Sequence, residues 1–308
     1  MKDNKDDKKN RLKRHAEEVG CFGLVDGAAA NLYTHENCYA RTASKSDGPF
    51  YCKVCYSDAV LRKCSEKIDH FAHLTPLSPV IPSSESSLHR ECKESICKHI
   101  SNIFPGGKWE VERPIPENKD KGIDAVRPDI SGRIDGQPIA IEVQASSLTI
   151  PKIIQRTKTY SKRGIAMLWI VPLLEELSDK PFRPRLYERY FHSMYYGRVY
   201  YWWPEIGDKL STVHYGIAKR HIDFSTWFDE NGDQQEAGGY DKTYKVIKTP
   251  VFGSNVSIES DFYFHNRKEF TPDNERKSIP KCITWQDKLN TWWKTKQVDS
   301  STGTGGTS

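Results

Sequence analysis

The dipeptide Asp135-Gly136, set between two strand-like runs, constrains this chain's fold more than any other feature. Asp129 to Ile134 precedes it and Ile139 to Gln144 follows it. Asp-Gly is a strong signal for a two-residue hairpin, because a type I′ turn needs positive φ at both central positions. With that turn Ile134 faces Gln137, and counting back along both strands Asp129 faces Glu142. Directly opposed residues share a sheet face, with Cβ atoms about 4.5–5.5 Å apart. Gln144, two residues beyond Glu142, points the same way. Two like charges opposed on otherwise apolar strands are destabilising and call for a cation. Carboxylate oxygens suit Mg²⁺ (or Mn²⁺), which takes one or two carboxylates and keeps several waters. The plain alternatives are a solvated face or a basic partner such as Arg127.

The flanking segments predict a mixed sheet packed by helices. Residues 86–104 carry Leu88, Cys92, Ile96, Ile100 and Ile103 at spacings of four and three, one apolar helical stripe that Pro105-Gly-Gly ends. Trp109 to Arg113 alternates like a strand. Thr149 to Lys162 reads as a helix, with Pro151 tolerated in its first turn and Ile150, Ile153, Ile154 and Thr157 as its apolar positions. Ile165 to Val171 reads as a buried strand. Helix, strand, hairpin, helix and strand in that order predict an α/β core. Glu85, His89 and Lys93 follow one edge of the first helix; Glu85 stands at its N-terminus, where a capping carboxylate is also favoured. Arg156 and Tyr160 are an i, i+4 pair able to reach phosphate, or else a solvated cation and a packed tyrosine.

Upstream lies a second pattern. Of eight cysteines, two form Cys52-Lys-Val-Cys55, and after a gap of fourteen residues comes His70-Phe-Ala-His73. Zinc takes four N/S ligands in a tetrahedron, so Cys52, Cys55, His70 and His73 are the predicted set. Four protein ligands leave no open position, which makes the site structural. A segment of this size has little core of its own, so metal would help it fold. Buried, metal-free cysteines are the plain alternative. A nucleobase-deaminase pattern needs His-x-Glu and Pro-Cys-x-x-Cys. Here His35 and Glu36 are adjacent, and Tyr51 precedes Cys52.

The rest of the chain sets boundaries. Residues 1–18 read as a disordered basic tail, 19–82 as a zinc-finger-like module and linker, and 83–180 as the core. Residues 181–298 form an aromatic-rich, strand-rich region of unassigned role, and 299–308 a flexible tail. A last helix is predicted over Trp285 to Lys296. The net charge is +5, but residues 1–14 hold seven Lys/Arg against three Asp, so the body is close to neutral. The longest apolar run, Gly164 to Leu174, falls well short of the roughly 20 residues a membrane helix needs. The start has no apolar segment after its charges. These features predict a soluble, cytoplasmic protein with no membrane partner.

The ordered string of motifs resembles the CoiA-like competence nuclease family of the PD-(D/E)XK nuclease superfamily. The pieces are Cys52 to Cys55, His70 to His73, Glu85-Ser86, His89, Lys93, Arg127-Pro128-Asp129, Glu142 to Ser146, Arg156, Tyr160 and Leu168 to Ile170. The resemblance implies a restriction-endonuclease-like core behind a zinc-finger-like module. It implies a Mg²⁺-dependent deoxyribonuclease acting in DNA uptake, recombination or defence. Asp129 and Glu142 would hold the catalytic metal and Glu85 would complete the acidic site. Gln144 stands where the superfamily name has lysine, and would orient water or contact phosphate. Lys93, Arg156 and Tyr160 would contact nucleic acid. The rival expectation is a catalytically inactive DNA-binding or adaptor protein of the same fold, with a protein partner on the C-terminal region.

Overall fold

The computed structural model describes residues 21–65, 68–74, 87–145, 148–228, 232–272, 277–288 and 290–294. The basic tail, the linker with Glu85 and the C-terminal tail lie outside the described residues. The chain divides into two units. One holds the described residues up to 74 together with 179–186 and 216–249; the other holds 87–178, 187–215 and 250–294.

The first unit begins with β1 (Ala28–Asn31), β2 (Asn37–Tyr39), β3 (Phe50–Tyr51), β4 (Asp58–Arg62) and β5 (His70–His73), an antiparallel sheet in the order β2-β1-β3-β4-β5. Its interior is thin. Leu24, Ala29, Ala40, Leu61 and Val246 surround Phe50 and Phe71, whose rings meet edge to face at 4.9 Å, and Cys21, Cys52 and Cys55 complete the cluster. So few large apolar side chains supply little hydrophobic stabilisation.

In the second unit α1 (Ser87–Ile103) buries Leu88, Cys92, Ile96 and Ile100 of the predicted stripe, with Ile103 partly buried at its end. Then come β6 (Glu110–Val111), β7 (Ile130–Ile134) and β8 (Gln137–Val143), α2 (Ile150–Lys162) and β9 (Ala166–Pro172). Strands β7 and β8 pair with Ile134 opposite Gln137 and Ile130 opposite Ile141, the predicted register. Asp135 has φ 48° and Gly136 φ 82°, as a type I′ turn requires. Strand β9 runs parallel to β8 and all seven of its residues are buried. This αβββαβ order is the mixed sheet flanked by helices that the sequence predicts.

The core continues past residue 180. α3 (Leu186–Met194) lays Phe191 against Trp169, with ring centroids 4.9 Å apart. β10 (Val199–Trp202) pairs with β9 in parallel and with β11 (Lys209–Ile222) antiparallel. A short hairpin, β12 (Ser225–Phe228) and β13 (Gln234–Ala237), is followed by β14 (Tyr240–Ser257), β15 (Phe262–Arg267) and β16 (Cys282–Asp287).

The helix predicted over Trp285 to Lys296 is corrected by β16. Ile283 and Thr284 pair with Ala166 and Met167 on β9, and the run of two β-branched residues and Trp285 suits a sheet. Asp287 ends the strand buried against Arg198 at 2.6 Å, with the Tyr200 hydroxyl donating at 2.5 Å. Among the described residues there, only 292–294 form a helical turn, and Lys296 lies outside the described residues. No helix among the described residues is long and apolar enough to cross a membrane.

Candidate functional site

Among the described residues the predicted site residues gather in two clusters, one in each unit. In the first, Cys52 and Cys55 flank a turn closed by the Tyr56 N–H on the Cys52 carbonyl at 2.7 Å. His73 at the end of β5 brings its Nε2 to 3.3 Å from Cys55 Sγ. The fourth group is Cys21, with Sγ 3.7 Å from Cys52 Sγ. All four donor atoms lie within 4.8 Å of one another. A zinc tetrahedron with Zn–S near 2.3 Å and Zn–N near 2.0–2.1 Å has S···S edges of about 3.8 Å and S···N edges of about 3.6 Å. The spacings therefore fit zinc, and 3.7 Å is far beyond a disulfide bond.

Cys21 takes the place expected for His70. Residues 70 and 73 lie on a strand, where positions three apart point to opposite faces. His70 turns away, its Nδ1 2.9 Å from the Ile68 carbonyl oxygen. Both histidines could face one metal only on a helix or turn. Cys21 is brought in by the backbone of Gly23, where a Cβ would sit 2.4 Å from Cys52 Sγ. The signal in the sequence was a cysteine two residues before a glycine.

Arg183, fully buried, lies behind this cluster. It donates to Cys55 Sγ at 3.8 Å and to the Ser57 hydroxyl. The Ser57 oxygen is 2.8 Å from the same sulfur. Hydrogen bonding from Cys21 and Cys52 holds the Cys55 thiol well below its ordinary value against burial, with His73 and Arg183 acting the same way.

In the second unit the hairpin register brings Asp129 and Glu142 together. Asp129 lies one residue before β7, its carbonyl accepting from the Glu112 N–H at 2.9 Å. Its Oδ2 accepts from the Val143 N–H at 2.8 Å, and His89 Nε2 lies 3.6 Å from its Oδ1. Burial pushes the Asp129 carboxyl up, but the His89 and Val143 hydrogen bonds and the His89 and Lys93 charges outweigh it and hold it below the usual range. Glu142 is 1% exposed. Burial and the Asp129 charge push its carboxyl up to about 8. Arg156 and the Tyr160 hydroxyl each donate to one of its oxygens, opposing that rise.

The remaining predicted residues fall around this pair. Gln144 is buried just past β8, its N–H on the Ile170 carbonyl at 2.7 Å. Lys93 is buried with its Nζ 2.5 Å from Glu112, a carboxylate the sequence reading did not select. Arg127 sits 3.8 Å from the other Glu112 oxygen and is exposed, so the basic partner of Glu142 is Arg156. Glu112 adopts φ 51°, a left-handed conformation that turns its side chain toward Lys93; nothing in local spacing marks it. Glu85 lies outside the described residues.

Two family models match this chain. The model for the competence protein CoiA nuclease-like domain covers residues 85–203, and the model for the CoiA N-terminal domain covers residues 33–77. The chain belongs to the CoiA-like competence family. Its nuclease-like match takes in α3 and β10 as well as the carboxylate pair. The N-terminal match holds Cys52, Cys55 and His73, while Cys21 precedes it. The chain is 28% identical over 123 residues to competence protein CoiA of Bacillus subtilis (strain 168), a stretch covering 40% of this chain and 31% of that protein. This CoiA-like chain thus matches under a third of that relative's length.

Proposed function

We propose that this chain is a metal-dependent nuclease that hydrolyses DNA phosphodiester bonds. The observation that carries the reading is the buried Glu142 beside Asp129, with its carboxyl pushed up to about 8. A fold bears such a like-charged pair at a cost, and perturbed carboxylates of this kind mark functional sites. The donor set fits a hard cation, because each carboxylate oxygen keeps a lone pair beyond the hydrogen bond it already accepts. Mg²⁺ (or Mn²⁺) held by Asp129 and Glu142 would lower the pKa of a water and offset charge on the scissile phosphate. Arg156 and Tyr160 fix the Glu142 carboxylate, and His89 and the Val143 N–H fix Asp129. Gln144 would orient the attacking water or contact phosphate. Glu85 would complete the acidic site, as the family resemblance implies.

Zn²⁺ in the Cys21, Cys52, Cys55 and His73 cluster would hold the small unit together. DNA uptake, recombination or defence is the proposed setting. Incubation with linear, circular and single-stranded DNA in Mg²⁺, Mn²⁺ or EDTA tests the reading. Cleavage in metal but not in EDTA is expected. DNA retardation without cleavage under every metal condition contradicts it and favours an inactive DNA-binding or adaptor protein.

A further inference from the structure

The groups expected to grip nucleic acid already have partners within the protein, although the Arg156 side chain is 37% exposed. Lys93 neutralises Glu112, Arg156 is paired with Glu142, and Tyr160 donates its hydroxyl to Glu142 while fully buried. A strand drawn to the carboxylates therefore needs other basic groups nearby. The outer face of α2 supplies them. Pro151, Ile154, Gln155, Lys158, Thr159 and Lys162 recur at helical spacing and form one wall of a groove of about 270 Å³, with Ile123 and Asp124 opposite.

We propose that this groove binds the sugar–phosphate backbone of one nucleic-acid strand, beside the reacting centre. The inference rests on the nuclease reading. Lys158 and Lys162 stand at i, i+4 on the wall, and among the described residues neither has a carboxylate partner. Their ammonium groups match the phosphate charge. Gln155 and Thr159 add an amide and a hydroxyl. Pro151 and Ile154 on the α2 wall and Ile123 beside Asp124 on the other give apolar surface suited to sugar or base, which a bare anion would not use. Ile154 belongs to the predicted core stripe of α2, yet it is only partly buried and lines this groove.

The opposite wall is fixed in place. Residues 115–126 form a small antiparallel loop through bridges between Ile115 and Val126 and between Asn118 and Ile123. Arg163 ties it to the end of α2 by donating to the carbonyls of Pro116 at 2.6 Å and Asp124 at 2.9 Å; Lys162 donates to Gly122 at 3.2 Å. Gln155 and Thr159 each precede by one residue the Arg156 and Tyr160 that hold Glu142. The groove and the carboxylates are thus served by neighbouring faces of α2, one residue and about 100° apart around its axis.

The test measures binding by the full chain in EDTA, where cleavage does not interfere. Fluorescently labelled single-stranded and duplex DNA are titrated across about 50 to 200 mM salt. Replacing both Lys158 and Lys162 by Ala removes two phosphate contacts. The slope of log affinity against log salt should become shallower by about 1.4 for single strands or about 1.8 for duplex. Lys268→Ala, an exposed cation elsewhere in the same unit, should leave it unchanged. An unchanged slope in a double variant with native circular dichroism overturns the proposal, as does an equal loss from Lys268→Ala. A shallower slope with no cleavage in any metal supports the groove while sinking the nuclease reading. Cleavage with an unmoved slope does the reverse.

Discussion

Both terminal nitrogens of Arg183 lie 3.8 Å from Cys55 Sγ, across 128 residues of chain. A zinc ion held by three thiolates and a neutral imidazole would carry a net charge of −1, and the buried Arg183 would offset it. Removing one partner of a buried ion pair costs about 3–5 kcal/mol. Arg183→Met should lower the melting temperature of the full chain and speed zinc release to a chromogenic chelator. Unchanged melting and zinc release would show that the guanidinium does not compensate the cluster.

The ligand set can be separated residue by residue. Cys21→Ser should abolish stoichiometric zinc, while His70→Ala should retain it, as measured by plasma emission on purified protein. Zinc retention by the Cys21 variant together with loss in the His70 variant would reinstate the histidine pair.

Gly23 lies where an added Cβ would meet Cys52 Sγ at 2.4 Å and Val54 at 2.8 Å. Gly23→Ala must displace Cys52 or the turn after it. Overpacking of this kind costs about 1–3 kcal/mol, so thermal stability and zinc affinity should fall together. A variant with native melting and native zinc content would rule out the close approach.

Much of the second unit was legible in the sequence because its signals are local. Asp135-Gly136 admits one turn geometry, and that turn sets which residues face each other down to Asp129 and Glu142. The stripe on α1 is equally plain at spacings of four and three. What escaped depends on contacts distant in sequence. Cys21 joins Cys52 through a glycine-permitted approach, and Glu112 reaches Lys93 through a left-handed residue. The last strand reads as a helix in the sequence because Trp285 is followed by Leu289, Trp292 and Trp293 at helical spacing. Pairing with β9 and the buried Asp287–Arg198 contact decide it instead. The histidine pair failed for a simpler reason: a spacing of three fits one face of a helix, and residues 70–73 form a strand.

The state of Glu142 predicts a pH dependence in the metal-free protein. Its folded carboxyl titrates near 8, above the ordinary value of about 4.3 in an unfolded chain. The native state therefore binds more protons between those values, and stability falls as pH rises through the window. Asp129 is shifted the other way, so its contribution changes only at or below the ordinary carboxylate range. In EDTA the wild type should lose more melting temperature between pH 5 and pH 8 than Glu142→Gln does. Equal losses would mean that Glu142 ionises normally.

The central claim is metal-dependent cleavage at Asp129 and Glu142. Its most direct test is a rate measurement on one labelled DNA substrate in Mg²⁺, comparing wild type with Asp129→Asn and Glu142→Gln. The account predicts cleavage by wild type that EDTA abolishes. Each variant should be at least about 100-fold slower, with zinc content and circular dichroism unchanged. Cleavage at the wild-type rate by both variants, or none by wild type in Mg²⁺ or Mn²⁺, would contradict it.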